Sequence, residues 1–336
     1  MTVLLASRRF FERYDARLAE IEALAGPRGP VERVELPEEP DARLAPADLE
    51  RITVAYASGD LRERPELGLA RKLYGSARRA PSLEWLHVSN AGLDDPIYAE
   101  LMGRGVAVSN SSGANAEPIA LTTLGAMLML ARGFLGWAEA QRERAWRTVP
   151  PEAGPRDLRG QTVVVVGLGA IGGHFASFLR PLGVHIVGVR RTPAGAEDGV
   201  DEWVPPERLS EVLPRADWLV LAAPLTPQTQ GMVDAGALAL LPRGAHLLNV
   251  GRGALVDEAA LIDALRSGHL GGAYLDVFEE EPLPDASPLW GLPNVIVSPH
   301  SSAVSLGNGD RADAIFLGEL ERWQRGERPL REFVEG

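Results

Sequence analysis

The stretch Thr162-Val163-Val164-Val165-Val166-Gly167-Leu168-Gly169-Ala170-Ile171-Gly172 decides how this 336-residue chain is read. Four β-branched valines that stop at a glycine are too short a run for a buried helix. They predict a strand covered on both faces. Residues His174 to Leu182 then carry the apolar spacing of a helix. Strand, glycine turn and helix in that order are the parts of a dinucleotide-binding unit. Gly167 permits the tight turn, Gly169 lets the backbone approach a pyrophosphate, and Gly172 lets the helix pack on the strand; Ala170 and Ile171 lie between them. The helix N-terminus then offers free N–H groups and a partial positive charge to the phosphates.

Outward from this turn the same grammar repeats. Strands are predicted at Thr162–Val166, His185–Val189, Trp218–Ala222, His246–Val250, Gly272–Leu275 and Val295–Val297, with a helix over Asp257–Ser267. Towards the N-terminus the predicted strands are Val3–Ala6, Val31–Leu36, Ile52–Ala55, Trp85–Val88 and Val106–Ser109. Helices are predicted over Phe10–Leu24 and Pro96–Gly103. Such alternation implies parallel sheets wrapped by helices, an α/β chain. The charge-rich stretch Asp60 to Ala80 reads as a solvated helix and loop. Glu117 to Arg147 is helical in pattern and is broken by Pro150-Pro151 and Gly154-Pro155. It is either a hinge or an interface. A closing apolar helix, Ala312–Trp323, is expected to pack back on the first unit.

The length suits two domains, each with its own core. A formal net charge of −12 argues against nucleic acid or an anionic membrane as the main partner. The longest apolar stretch, Ile119 to Ala131, is too short to span a bilayer and includes Thr122, Thr123 and Gly125. The N-terminus lacks the parts of a signal peptide, so the cytoplasm is the default location. The chain has no cysteine, which excludes disulfides and cysteine-ligated metals. No metal is expected in the site.

Three further stretches follow predicted strands. Asn249-Val250-Gly251-Arg252-Gly253 puts an arginine at a strand's C-terminal end, the edge where ligands bind in open α/β sheets. A guanidinium there can hold a carboxylate with two parallel hydrogen bonds. Asp276-Val277-Phe278-Glu279-Glu280-Glu281-Pro282-Leu283 supplies carboxylates, and Val295-Ile296-Val297-Ser298-Pro299-His300 supplies an imidazole. Each alone has a bland reading as surface charge or a structural histidine. Together they make a coherent site: a carboxylate keeps the imidazole protonated, the imidazole delivers a proton, the arginine polarises a 2-keto acid, and a nicotinamide gives the hydride.

With these residues in view, the chain resembles the D-isomer-specific 2-hydroxyacid dehydrogenases. The shared stretches are GLGAIG (167–172), AAPLTPQTQGMVD (222–234), LLNVGRGALVDEAALIDAL (247–265), YLDVFEEEPLP (274–284) and NVIVSPH (294–300). SNAGLDD (89–95) and NSSGANAEPIA (110–120) match more loosely. The resemblance implies Arg252, Glu281 and His300 as the catalytic set, the acid being the glutamate directly before the proline. It implies that backbone amides around Asn90, Ala91 and Gly92 cradle the substrate carboxylate, with Arg252 also binding substrate. Asp276 would bind the nicotinamide carboxamide, and Ala223, Pro224, Thr229 and Val250 would line the cofactor. It implies two Rossmann-like, doubly wound domains with a cleft between them. Residues 1–112 and 302–336 would form a flavodoxin-like substrate domain, and 113–301 the NAD(P)-binding domain. A homodimer through the helix and arm at 117–160 is the family habit.

The chain departs from the family at several points. The acid expected at position 190 is absent, and Arg190-Arg191-Thr192 stands there. An acid would accept the ribose 2′-hydroxyl of NAD, whereas arginine suits the 2′-phosphate of NADP. NADP(H) is therefore the expected cofactor, with NAD(H) possible. Leu121 stands where glutamate is common, and Ser301-Ser302-Ala303 follows His300 in place of a bulky residue and glycine. The expected activity is reduction of a small 2-keto acid, of the glyoxylate or hydroxypyruvate type, to a D-2-hydroxy acid. Glu281 disfavours formate dehydrogenase, whose relatives carry glutamine there. The alternative is a dinucleotide-sensing, corepressor-like binding protein of the same fold.

Overall fold

A computed structural model describes residues 1–24, 26–39, 41–90, 95–193 and 199–330. The chain divides into two compact units, Met1–Ala114 with Ser305–Gly336, and Asn115–Val304.

The first unit holds five parallel strands, β1 Thr2–Ala6, β2 Val31–Glu35, β3 Val54–Ala57, β4 Trp85–Val88 and β5 Ala107–Asn110. Their order is β2-β1-β3-β4-β5, the flavodoxin-like winding. Successive strand residues serve opposite faces. Val3 and Leu5 pack with Leu69, Leu73 and Ala77 of the helix Leu69–Arg79. Leu4 and Ala6 pack instead with Phe10, Leu18, Phe316 and Trp323. The last two belong to the closing helix Asn308–Gln324, which therefore seals this unit as expected.

Two expectations shift here. The helix foreseen over Phe10–Leu24 is two helices, Arg8–Arg13 and Asp15–Glu22. Tyr14 leaves helical dihedrals between them (φ −113°, ψ 22°), its ring 5.2 Å from that of Phe10. Apolar spacing continues across the break, so periodicity could not see it. The strand foreseen at Ile52 begins at Val54, because Ile52 closes the helix Pro46–Arg51.

The second unit holds β6 Thr162–Val166, β7 His185–Val189, β8 Glu202–Val204, β9 Trp218–Leu221, β10 Ala245–Asn249, β11 Leu270–Leu275 and β12 Val295–Val297. All are parallel, in the order β12-β11-β10-β9-β6-β7-β8. The order reverses between β6 and β9, which creates the switch point where such sheets bind ligands. The valine run is buried on both faces: Val163 and Val165 pack with Phe175 and Leu179, Val164 and Val166 with Leu219 and Leu247. That explains why the run does not alternate. β8 has three residues and no apolar run, so the pattern gave no sign of it.

The stretch from Glu117 is helical but bent. Helices Ala116–Ala131 and Phe134–Arg142 meet at 73°, hinged at Gly133 with φ 72°. Among the described residues no single helix is long and apolar enough to cross a membrane.

Candidate active site

The glycine turn after β6 separates three roles. Gly167 has φ 93°, and a Cβ on it would sit 2.7 Å from the Ala223 backbone that enters from β9. A Cβ on Gly172 would lie 2.0 Å from the Gly167 carbonyl oxygen, so only glycine lets the helix Ala170–Leu179 seat against the turn. A Cβ on Gly169 would meet nothing within 4 Å. Gly169 is also the residue at the helix N-cap, and no side chain caps the helix there. Open space beside uncapped helical N–H groups fits the pyrophosphate of a dinucleotide. Ala170 is exposed and Ile171 half-buried along the same first turn.

At the end of β7, no carboxylate stands at position 190. Arg190 turns its guanidinium onto its own loop: Nε donates to Thr192 O at 2.8 Å and Nη2 to Pro193 O at 2.7 Å. Trp203 Nε1 donates to Arg190 O at 3.0 Å, which ties the loop to β8. Arg191 and Thr192 are exposed. Beyond β9, Ala223 and Val250 are buried and Pro224 is exposed. Thr229 Oγ1 donates to Pro224 O at 2.7 Å and accepts from Thr226 N–H at 2.8 Å, so this hydroxyl shapes the loop that carries Pro224.

The strands β10, β11 and β12 are neighbours, and Arg252, Glu281 and His300 follow their C-terminal ends. Asn249, 1% exposed, builds the first turn: Oδ1 accepts from Gly251 N–H at 3.1 Å, and Nδ2 donates to Arg252 O at 2.9 Å. The Arg252 side chain is exposed, with Nη1 donating to Gly251 O at 2.8 Å. Gly253 presses on the next loop, for a Cβ there would lie 1.9 Å from the Phe278 carbonyl carbon.

The three glutamates have different work. Glu279 exchanges hydrogen bonds with Glu258: Glu258 N–H donates to Glu279 Oε1 at 3.1 Å, and Glu279 N–H to Glu258 Oε2 at 3.2 Å. Glu280 is exposed. Glu281 accepts from Phe278 N–H at Oε1 (3.1 Å) and meets His300 Nδ1 at Oε2 (2.8 Å). Both members of this pair keep solvent access, with side chains 37% and 50% exposed. His300 itself has φ 48°, in the left-handed region.

Asp276, which the resemblance implies as the partner of a nicotinamide carboxamide, directly follows β11. It is 2% exposed, and its carboxylate accepts from Ser298 Oγ (2.5 Å), Ser301 N–H (2.9 Å), Ser302 N–H (3.0 Å) and Ser302 Oγ. The reason is local: a buried carboxylate needs donors, and the loop through His300 brings four. Tyr274 OH lies 2.9 Å from Ser298 Oγ, and burial pushes this phenol up to about 12. In the sequence Ser301 and Ser302 stand out only as departures from the family, and nothing there marks Asn249, Ser298 and Glu258 as supports of the site. Asn90 lies just past β4 in the first unit and is half-buried. Ala91 and Gly92 lie outside the described residues.

Known proteins share this architecture. Residues 124–302, more than half of the chain, match the family model "D-isomer specific 2-hydroxyacid dehydrogenase, NAD binding domain". A glyoxylate reductase of Korarchaeum cryptofilum is 34% identical over 255 residues, 74% of this chain and 76% of its own. A D-isomer specific 2-hydroxyacid dehydrogenase from Xanthobacter autotrophicus Py2, solved with NADPH and MES, superposes with a TM-score of 0.71 at 31% identity, over 99% of this chain and 98% of that one. An NADPH-dependent glyoxylate/hydroxypyruvate reductase of Sinorhizobium meliloti, solved with citrate, gives 0.69 at 30% identity, over 99% and 97%. The chain therefore belongs to the D-isomer specific 2-hydroxyacid dehydrogenase family and is an NAD(P)-dependent oxidoreductase.

Proposed function

We propose that this chain reduces a small 2-keto acid to the D-2-hydroxy acid and prefers NADPH. The observation that carries the reading is the 2.8 Å pair between His300 Nδ1 and Glu281 Oε2, two strand ends from the exposed guanidinium of Arg252. The hydride comes from the dinucleotide held at the Gly167–Gly172 turn. With Nδ1 bound to Glu281, His300 keeps Nε2 for the substrate and passes its proton to the carbonyl oxygen as charge develops there. Glu281 orients the ring and stabilises its protonated form. Arg252 holds the substrate and draws charge onto the carbonyl oxygen. For the substrate carboxylate, amides around Asn90, Ala91 and Gly92 are the proposed cradle, on resemblance.

The NADPH preference is supported by the missing acid at position 190 and by Arg191, exposed beside Arg190. The carbonyls of Thr192 and Pro193 hold Arg190, so Arg191 is the freer partner for a 2′-phosphate. Glyoxylate and hydroxypyruvate are the proposed substrates, supported by the names of the Korarchaeum and Sinorhizobium proteins. Homodimerisation through residues 117–160 is supported by the exposed apolar side chains of Leu121, Met129, Phe134, Trp137 and Trp146. The test is steady-state oxidation of NADPH and NADH, in parallel, against glyoxylate, hydroxypyruvate, pyruvate and phenylpyruvate.

A further inference from the structure

We infer that Ser302 is a positioning residue: with Ser298 it fixes the Asp276 carboxylate under the His300 turn and so holds the imidazole against Glu281. The inference rests on the proposed role of His300 as proton donor. His300 is one of two described non-glycine residues with positive φ, at 48°, a conformation that an L side chain keeps only when its surroundings impose it.

What imposes it is Asp276. His300 N–H donates to Asp276 O at 2.9 Å and to Ser298 O at 3.0 Å. The next two amides, of Ser301 and Ser302, both donate to Asp276 Oδ1, at 2.9 and 3.0 Å. Backbone and carboxylate of one residue thus bind three consecutive N–H groups. That carboxylate is in turn held by two hydroxyls, Ser298 on Oδ1 and Ser302 on Oδ2. Ser302 is the donor to Oδ2 and is 4% exposed, so no solvent replaces it at once. Tyr274, with its proton retained, supports Ser298 from β11.

Without the Ser302 hydroxyl, Oδ2 becomes a buried anionic oxygen short of a donor. The carboxylate rotates to seek one, the two amide bonds on Oδ1 lengthen, and the left-handed turn relaxes. His300 is carried by that turn, and its 2.8 Å contact with Glu281 opens. Glu281 is the charged group in contact with the ring, and Asp276 bears on the turn that carries it. The carboxylate accepts from Ser298, Ser301 and Ser302 of that loop.

The experiment compares wild type with Ser302→Ala, Ser302→Thr and His300→Ala. The His300 imidazole is titrated by NMR, its signal being the one absent from His300→Ala, and turnover is measured with NADPH and glyoxylate. In Ser302→Ala the titration midpoint departs from that of wild type as the Glu281 contact loosens. The kcat falls by about tenfold or more, and the KM for NADPH stays within about twofold. Ser302→Thr, which keeps the hydroxyl, restores both. A merely structural serine lowers the melting temperature but leaves the midpoint in place, and that result overturns the inference. If Ser302→Ala does not fold, Ser298→Ala removes the other hydroxyl from the same carboxylate and carries the same expectation. A Ser302→Ala protein that titrates and turns over like wild type, beside an inactive His300→Ala, overturns this inference alone. Full turnover by His300→Ala overturns the role of His300 and this inference with it.

Discussion

Two glycines three residues apart, Gly169 and Gly172, predict opposite phenotypes when each is given a methyl group. At Gly169 the added Cβ meets nothing within 4 Å, and the backbone (φ −78°, ψ −159°) suits any residue. Alanine there gains about 0.4–1 kcal/mol through the unfolded chain. It gives back about 0.5–1 kcal/mol because alanine is a poorer N-cap than glycine. Stability is therefore close to unchanged. The methyl would occupy the space beside the first helical N–H groups, where a phosphate of the cofactor would approach them. One lost charge-assisted hydrogen bond is worth about 1.5–3 kcal/mol, so the dissociation constant for NADPH rises tenfold or more. At Gly172 the same methyl would lie 2.0 Å from the Gly167 carbonyl oxygen. A carbon and an oxygen need about 3.3 Å, so the helix must part from the turn by more than 1 Å. Overpacking of this kind costs about 1–3 kcal/mol, or roughly 3–10 °C in a unit of this size. Thermal melts and NADPH fluorescence titrations on both variants decide it. The reasoning is refuted if Gly169→Ala binds NADPH like wild type, or if it melts as low as Gly172→Ala.

Two other expectations concern charge. Glu281→Gln removes the negative partner that meets His300 Nδ1 at 2.8 Å, so kcat for reduction falls by about a hundredfold while NADPH affinity stays within a few-fold. An undiminished kcat counts against the pair. In the first unit, Tyr56 OH donates to Asp313 Oδ1 at 2.6 Å, yet burial pushes the Asp313 carboxyl up to about 6. The folded state thus holds this proton more tightly than the unfolded state does. The stability it confers is full below about pH 4 and is lost as pH rises through about 6. Asp313→Asn keeps an acceptor for Tyr56 and removes the dependence, so its stability relative to wild type grows by about 2–3 kcal/mol from pH 4 to pH 7. Parallel stability curves in urea at these pH values refute it.

What the sequence revealed depended on how local the cause was. The valine run and glycine turn were legible because burial on both faces and a Cβ-free approach are written in a few adjacent residues. Tyr14 and Ile52 misled because apolar spacing runs on through a helix break or a cap. β8 was invisible because its three residues are recruited by pairing with β7. Glu279, Glu280 and Glu281 are alike in composition. The resemblance singled out Glu281 through the proline that follows it, while only the fold shows that Glu279 answers Glu258 and that Glu281 meets His300 Nδ1. The seat of Asp276 was illegible for the same reason, since its four donors come from a loop 22 to 26 residues further along the chain.

The most direct test of the account is NADPH oxidation by wild type and His300→Ala with glyoxylate and hydroxypyruvate, alongside NADPH affinity for both proteins. The account predicts turnover by wild type that exceeds its rate with NADH, no measurable turnover by His300→Ala, and NADPH affinities within a few-fold of each other. Undiminished turnover by His300→Ala would contradict it.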